Sequence, residues 1–377
     1  MSNVTGPDGL YSATRRNFIK AAGAIGLVTA ISAPALAQSR RKVTMVAATP
    51  SISGSDLGFF SSIPLGLGLF AEEGLDVELV TVNGSGAATN MLFGGQAAFT
   101  THGGAGLFAA VGQKAPIKAF MCQVPDDIYS IAVLENGPIN TIADLKGKRI
   151  GIASFGGTPH VLMKAIVRQQ GWNPDTDMTY IAVGTDVPAL DALNRNRIDA
   201  IFSYDTAFAT FEFNGAKLHY FRPDPLPRTG ISHVTCATID TLEKQPELVR
   251  AMSKALARSL VYMAAADPSE LTKLHFKVYP EAASVGLSRD QLAQVDRLKF
   301  NARIKFMHFK ERVFDRSEKI GDVKDAQIEL LRDLLLQSGT ITQAPEPARY
   351  FTRDFIAAMN DINFEADIAK AKSYRFQ

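Results

Sequence analysis

A short apolar strand, a loop rich in glycine and hydroxyl residues, and an amphipathic helix follow one another repeatedly between residues 42 and 221. In the first half, the pattern predicts strands at residues 42–48, 75–80, 97–100 and 117–123. In the second half, it predicts strands at residues 128–134, 149–153, 178–183, 198–202 and 217–221. Strands that are separated by a helix pair in parallel through right-handed crossovers. The repeat therefore predicts an α/β fold of mostly parallel strands flanked by helices.

The loop at residues 154–159, with the sequence SFGGTP, follows one of these strands and precedes a helix at 161–168. Thr158 fits the N-cap of that helix, and Pro159 fits its first turn. Free backbone N–H groups at a helix start bind anions or polar oxygens, and two glycines allow close approach of a ligand. The loop therefore indicates a binding site, although a plain strand–turn–helix junction is the alternative on this stretch alone.

Similar loops follow other strands. In parallel sheets, ligands bind beyond the carboxyl ends of the strands. Residues 49–56, 83–86 and 101–104 occupy this position in the first half, and residues 184–188 and 203–205 do so in the second. Each is rich in glycine or polar residues, which alone is common in turns, but their equivalent positions predict a binding edge. For His102 two interpretations stay open, a ligand contact or a satisfied polar residue.

The N-terminal residues 1–37 have the order of an export signal. Arg15 and Arg16 precede a short apolar run at 21–31, and Ala35-Leu36-Ala37 forms a small-x-small cleavage site before Gln38. The paired arginines resemble a twin-arginine signal, which exports folded proteins. The run is too short to span a bilayer permanently. We therefore expect a soluble periplasmic protein, with a structural N-terminal helix as the alternative.

Composition limits the possible partners. The net charge is +2 and 21% of the residues are charged, without a dense basic run, so nothing indicates binding to nucleic acid or to an anionic membrane. Cys122 and Cys236 do not form a cluster with metal spacing, and the sequence predicts neither a metal nor a cofactor. In an exported chain these two thiols either pair or stay free and buried.

Three motifs carry a family resemblance: EGLDVEL at 73–79, ADLKGKRIG at 143–151, and PALDAL at 188–193 followed by RIDA at 197–200. With these motifs, the sequence resembles substrate-binding proteins of ABC importers, of the nitrate/sulfonate/taurine type that is also called NMT1/THI5-like. The resemblance covers roughly residues 42–256.

The resemblance implies a two-lobe periplasmic-binding-protein fold of type II, in which each lobe has a mostly parallel sheet and two crossovers join the lobes. It divides the chain into the signal at 1–37, the first lobe at 38–124, the second lobe at 125–232, and a return to the first lobe at 233–377. Helices predicted at 246–265, 268–279, 289–309, 323–337 and 349–359 would then pack on the first lobe. Closure about the crossovers would enclose a ligand, and a monomer would deliver it to an ABC permease in the inner membrane.

Ligand contacts follow from the resemblance by position. The predicted contacts are Thr49, Ser51, Ser55, Leu57, Ser85, Gly86, Thr101, His102, Gly103, Phe155, Gly156, Gly157, Thr158, Val187, Tyr204 and Asp205.

The residue types at these positions favour a small organic anion, such as a sulfonate or carboxylate. The loops contain no arginine or lysine, which weakens the case for phosphate; Arg222 and Arg228 either reach the site or lie on a solvated surface. Phe155 and Tyr204 predict an aromatic wall, with an aromatic carboxylate or a sulfonate as ligand, whereas Phe60 and Phe208 are expected in the core.

Two alternative functions stay open. The THI5-like name also covers pyrimidine-precursor synthases. The resemblance implies that such enzymes use an active-site histidine and a cysteine-rich motif. This chain has two isolated cysteines and neither a Gly-x-Ser-x-Gly elbow nor a two-histidine metal motif, so the sequence favours a binding protein over an enzyme. A periplasmic ligand sensor is the second alternative, because the same closed lobes can bind a regulatory partner.

Overall fold

The computed structural model describes residues 40–49, 52–54, 58–282 and 287–377. The predicted export signal lies outside these residues, and so do three of the predicted ligand contacts, Ser51, Ser55 and Leu57. Within the described part, no helix combines the length and apolar character needed to cross a bilayer.

Ten strands in the described part form two five-stranded sheets. In chain order, they are β1 (Arg41–Ala47), β2 (Leu75–Thr81), β3 (Phe99–His102), β4 (Ile117–Val124), β5 (Tyr129–Leu134), β6 (Arg149–Ile152), β7 (Thr179–Ala182), β8 (Ala200–Tyr204), β9 (Leu218–Phe221) and β10 (His233–Thr238). The first sheet has the order β2-β1-β3-β10-β4, and the second has the order β7-β6-β8-β5-β9. We call the two halves built on these sheets the first lobe and the second lobe.

Each sheet contains one reversed strand. Strand β10 is antiparallel to both of its neighbours in the first sheet, and β5 is antiparallel to both of its neighbours in the second. The other pairs are parallel, so four strands of each sheet run in one direction. The predicted α/β fold with two lobes is confirmed, and the sheets are mixed because each includes a strand that adjoins a crossover.

Helices cover both sheets. In the described part they are α1 (Ser62–Gly66), α2 (Leu69–Glu72), α3 (Gly84–Phe93), α4 (Gly104–Gly112), α5 (Thr158–Gln169), α6 (Asp186–Asn194), α7 (Asp205–Phe213), α8 (Leu226–Thr229), α9 (Ile239–Lys244), α10 (Pro246–Ala265), α11 (Pro268–Val278), α12 (Arg289–Arg303), α13 (Asp325–Gln337), α14 (Ile356–Asn360) and α15 (Phe364–Ser373). Short 3₁₀ turns lie at Ile142–Leu145, Pro280–Ala282, Ile304–Phe306 and Pro347–Arg349, and a π-helical turn lies at Lys310–Phe314.

Two helix predictions differ from the structure. Residues 59–73, for which the apolar pattern before Gly74 predicts one helix, form the two helices α1 and α2. Gly68 separates them, because its φ of 72° is a left-handed conformation that interrupts a helix. Residues 349–359, for which the sequence predicts a C-terminal helix, are mostly loop. The helices at this end of the chain are the short α14, which begins at Ile356, and α15. By contrast, α10 has the predicted bounds, since its amphipathic pattern and its initial proline mark it clearly.

The C-terminal helices contact both lobes. Helix α10 packs on α14 and α15, and α11 packs on α1 of the first lobe. Helix α12, however, packs along α7 of the second lobe, and α13 contacts α5. The expectation that this segment packs on the first lobe is therefore incomplete, and α12 brings C-terminal side chains to the boundary between the lobes.

A buried carboxylate joins the two crossovers between the lobes. Asp127, between β4 and β5, is 2% exposed and accepts hydrogen bonds from the Tyr129 backbone N–H at 2.9 Å and from the Thr229 hydroxyl at 3.2 Å. A guanidinium nitrogen of Arg222, which follows β9, lies 3.3 Å from the same carboxylate. Because these partners belong to both connecting segments, the crossovers form one polar cluster.

The two cysteines are free thiols. Cys122 and Cys236 are both fully buried, on the neighbouring strands β4 and β10. Burial raises the pKa of Cys122 to about 12, so its thiol is protonated and unreactive at neutral pH. Of the two alternatives, the structure supports buried thiols.

His308 connects the first crossover to the C-terminal segment. Its Nε2 lies 2.9 Å from Asp126 Oδ2, and its Nδ1 lies 2.8 Å from Glu318 Oε2. The hydrogen bond with Asp126, reinforced by the one with Glu318, raises the pKa of His308 from 6.5 to about 9. The imidazolium form is therefore stabilised in the folded state.

The pH dependence of unfolding tests this contact. Because the folded pKa is raised, the stabilisation by His308 is fully present below pH 6.5 and is lost as pH rises through about 9. We expect His308→Gln to lower the free energy of unfolding by at most about 3 kcal/mol at pH 6 and by almost nothing above pH 10. Urea unfolding of both proteins across this range measures the difference, and parallel pH profiles would contradict the assignment.

Candidate functional site

A cavity of about 100 Å³ lies between the two lobes. Its wall comprises Ala48, Thr49, Asn83, Gly84, Ser85, Thr101, His102, Gly103, Ile128, Tyr129, Ala153, Ser154, Gly157, Thr158, Pro159, Thr185, Tyr204, His233 and Arg303. Most of these residues follow the carboxyl ends of strands, which is where the sequence predicts a binding edge.

Five helices of nine or more residues begin at the cavity. The N-cap residues of α3, α4, α5, α6 and α7 all stand in its wall; they are Asn83, Gly103, Gly157, Thr185 and Tyr204. None of these five N-caps makes a side-chain capping hydrogen bond. The positive ends of five helix dipoles therefore surround the cavity, which favours an anion or a polar oxygen. Some first-turn N–H groups already donate within the protein: Gly104 donates to the Ile231 carbonyl, and Thr206 donates to the Asp205 carboxylate.

Thr158 has a different position from the one predicted. Gly157 is the N-cap of α5, and Thr158 is the first helical residue. Its Oγ1 accepts a hydrogen bond from the Gly106 backbone N–H of the first lobe at 3.2 Å. The prediction that Thr158 caps its own helix is therefore wrong, because its hydroxyl is used between the lobes.

Small residues allow the lobes to meet at this point. A Cβ atom on Gly103 would lie 2.2 Å from Thr158 Oγ1 and 2.8 Å from Thr158 Cβ. A Cβ atom on Gly84 would lie 3.1 Å from Ser154 Oγ, again across the boundary. Glycine at position 103 is therefore a steric condition for the closed arrangement.

Arg303 is the only arginine or lysine in the described wall of the cavity. It is fully buried at the end of α12, and its Nε and Nη2 donate to Asp205 at 2.9 and 2.6 Å. The two arginines considered from the sequence lie elsewhere: Arg222 binds at the crossovers, and Arg228 is exposed and pairs with Asp224.

The two histidines of the wall are neutral at pH 7. Burial lowers the pKa of His102 to about 4, with a smaller effect from His233, and burial together with Arg303 lowers the pKa of His233 to about 3. His102 Nε2 lies 3.1 Å from the Thr89 hydroxyl, which donates to the Ser85 carbonyl. The hydrogen-bond network therefore assigns the His102 proton to Nε2.

The structure brings half of the predicted contacts together in this wall. They are Thr49, Ser85, Thr101, His102, Gly103, Gly157, Thr158 and Tyr204. Five others lie outside it: Gly86, Phe155, Gly156, Val187 and Asp205. Phe155 is 63% exposed, and Val187 is 53% exposed on a separate groove of about 860 Å³ beside α11 and α12. Their roles in ligand binding stay predictions.

The sequence analysis missed a histidine and an arginine of the wall. His233 begins β10, where the chain returns to the first lobe, and a polar residue at that crossover was the available signal. Arg303 lies about 100 residues beyond the last loop of the second lobe, and its position depends on the packing of α12 along α7. No local pattern distinguishes it from other helical arginines.

A family model described as NMT1/THI5 like matches residues 65–271, more than half of the chain. The chain belongs to this family. No curated protein matches it.

Solved structures show the same fold. A protein from Bordetella bronchiseptica RB50 superposes with a TM-score of 0.67 at 18% identity, covering 86% of this chain and 98% of that protein. The alkanesulfonate-binding protein SsuA from Xanthomonas axonopodis pv. citri, bound to MOPS, gives 0.61 at 15% identity, covering 82% and 98%. The periplasmic aliphatic sulphonate binding protein SsuA from Escherichia coli gives 0.56 at 16% identity, covering 82% and 91%.

Replacing Gly103 tests the contact between the lobes. Gly103→Ala should separate the lobes locally, because the new methyl group would overlap Thr158. We expect the Gly106 amide to exchange faster with solvent and the free energy of unfolding to fall by about 1–3 kcal/mol. Hydrogen exchange and urea unfolding measure the two effects.

Gly86→Ala is the matched control. Among the described residues outside its own stretch of helix, no atom lies within 4 Å of a Cβ atom at Gly86, which is exposed in the first turns of α3. This change should leave exchange at Gly106 unaltered and stabilise the protein slightly. If the Gly106 amide keeps its protection from hydrogen exchange in Gly103→Ala too, the steric argument is wrong.

Proposed function

We propose that this protein is the substrate-binding component of an ABC importer and that it encloses a small organic anion between its lobes. The family assignment and the fold shared with sulfonate-binding proteins support this role. In this role the protein captures and delivers its ligand, and no covalent bond is made or broken.

The observation that carries the proposal is the convergence of five helix N-termini from both lobes on one partly open cavity. Helices α3 and α4 belong to the first lobe, and α5, α6 and α7 belong to the second. An anion between them would interact favourably with the positive ends of helix dipoles from both lobes at once. Ligand binding is thereby linked to closure, since either lobe alone provides part of this environment.

The cavity favours a compact ligand. At about 100 Å³ it is smaller than the roughly 300–1,000 Å³ pockets that hold drug-sized molecules. Tyr204 stands in the wall, whereas Phe155 lies outside it and is largely exposed. A short alkanesulfonate or carboxylate therefore fits this arrangement better than an aromatic carboxylate.

The cellular context follows from the sequence. The twin-arginine pattern at 1–37 supports export of the folded chain to the periplasm, with Gln38 as the mature N-terminus. There, a soluble monomer would present its closed form to a permease in the inner membrane.

Thermal unfolding of the mature chain with a panel of anions tests the proposed function. The panel contains methanesulfonate, ethanesulfonate, taurine, acetate, nitrate and benzoate. A ligand at one hundred times its dissociation constant should stabilise the protein by about 2.7 kcal/mol. We expect this effect for a compact sulfonate or carboxylate, and native mass spectrometry of the same sample checks for ligand retained from purification.

The alternative outcomes are distinct. If benzoate stabilises the protein more than every compact anion does, the proposed ligand is an aromatic carboxylate and not a compact anion. An empty protein that binds no member of the panel would overturn the proposed capture of a small anion.

A further inference from the structure

The two ring nitrogens of His102 have different hydrogen-bonding roles. His102 is fully buried at the end of β3 and stands in the wall of the cavity. Its Nε2 lies 3.1 Å from the Thr89 hydroxyl on α3, and that hydroxyl donates to the Ser85 carbonyl at 2.9 Å. A hydroxyl has one proton to donate, so Nε2 carries the proton of the neutral ring and donates it to Thr89. The other nitrogen, Nδ1, is therefore unprotonated and can only accept a hydrogen bond.

The lone pair of His102 Nδ1 is not used within the described part of the protein. This nitrogen is buried and has no hydrogen-bond partner among the residues that the structure describes. His233 stands in the same wall, next to the residue of β10 that pairs with His102, and it does not donate to this nitrogen. A buried acceptor without a partner is unfavourable, and a ligand with a hydrogen-bond donor would remove this cost.

The partner of Nε2 indicates the direction of Nδ1. Thr89 is not part of the described cavity wall, whereas His102 is. The two nitrogens of an imidazole point in diverging directions, so Nδ1 points away from Thr89. An anionic oxygen against this lone pair would be repelled, and a donor group would be attracted. A ligand with only acidic oxygens would therefore leave this acceptor unpaired, while a ligand with a second, donating group would satisfy it.

We propose that His102 Nδ1 accepts a hydrogen bond from the ligand, and that the ligand has a hydroxyl or ammonium donor beside its acidic group. This inference rests on the proposed function of the cavity, and it adds a donor to the small anion proposed there. Thr89 is a positioning residue, because it holds the proton of His102 on Nε2. Burial lowers the pKa of His102 to about 4, so the ring stays neutral and keeps its acceptor at pH 7.

Two series of probes differ only in the group at one end. The carboxylates are propanoate, glycolate and glycine, and the sulfonates are propanesulfonate, 2-hydroxyethanesulfonate and taurine. In each series the end group is a methyl, a hydroxyl or an ammonium group of similar size. Calorimetry with the mature chain at pH 7 measures the dissociation constants. We expect a hydroxyl or ammonium probe to bind at least about fivefold more tightly than the methyl probe of its series, because the methyl group leaves the buried acceptor unpaired. The stronger of the two donors identifies the ligand as a hydroxy acid or as a zwitterion.

Replacing Thr89 tests the position of the proton without changing a residue of the described wall. Thr89→Val keeps the shape of the side chain and removes the acceptor of the Nε2 proton, so the ring can carry its proton on either nitrogen. The preference for the donor probe should then fall by at least about threefold. Thr89→Ser keeps the hydroxyl and should retain the native preference, which makes it the matched control. Nitrogen-15 NMR of histidine-labelled protein should show an unprotonated His102 Nδ1 in the native chain and in Thr89→Ser, and a partly protonated one in Thr89→Val.

A purely structural His102 predicts other results. In that case the methyl probes should bind as tightly as the donor probes, or Thr89→Val and Thr89→Ser should show the same preference. Either outcome, or a proton on Nδ1 in the native chain, would overturn the inference and leave the proposed function intact. Failure of the empty protein to bind any of these probes, or any anion of the earlier panel, would overturn the proposed function itself.

Discussion

The hydrogen bond from the Gly106 backbone to the Thr158 hydroxyl requires two helix starts from different lobes to approach within 3.2 Å. This approach is possible because Gly103 has no side chain. The same geometry surrounds a single small cavity with the N-terminal ends of five helices. The favourable environment that we propose for an anion therefore depends on this approach of the two lobes.

Much of the fold could be predicted because its signals are local. The alternation of strand and helix, the glycine-rich loops and the initial proline of α10 each depend on short stretches of sequence. Loops at the carboxyl ends of strands lie together in every such sheet, so Ser85, Thr101 and Tyr204 were predicted correctly as neighbours. Whether they contact a ligand depends on geometry that the loops share only after folding.

The remaining features depend on contacts between distant segments. From the sequence, the Thr158 hydroxyl is able either to cap its own helix or to bind a distant segment. The structure shows the second, a hydrogen bond with Gly106, which no local pattern predicts. Arg303 reaches the cavity because α12 lies along the second lobe, although its neighbours α10 and α11 pack on the first. The presence of an arginine in the cavity wall could therefore not be predicted from the loops, which contain neither arginine nor lysine.

The buried thiols of Cys122 and Cys236 have a consequence for biogenesis. They lie on the adjacent strands β4 and β10, in the core of the first lobe. A chain that enters the oxidising periplasm unfolded exposes such thiols to disulfide formation with each other and with other proteins. The twin-arginine route that we propose encloses both sulfur atoms in the reducing cytoplasm first. The order of folding and export would then decide the redox state of the core and make maturation independent of oxidoreductases in the periplasm.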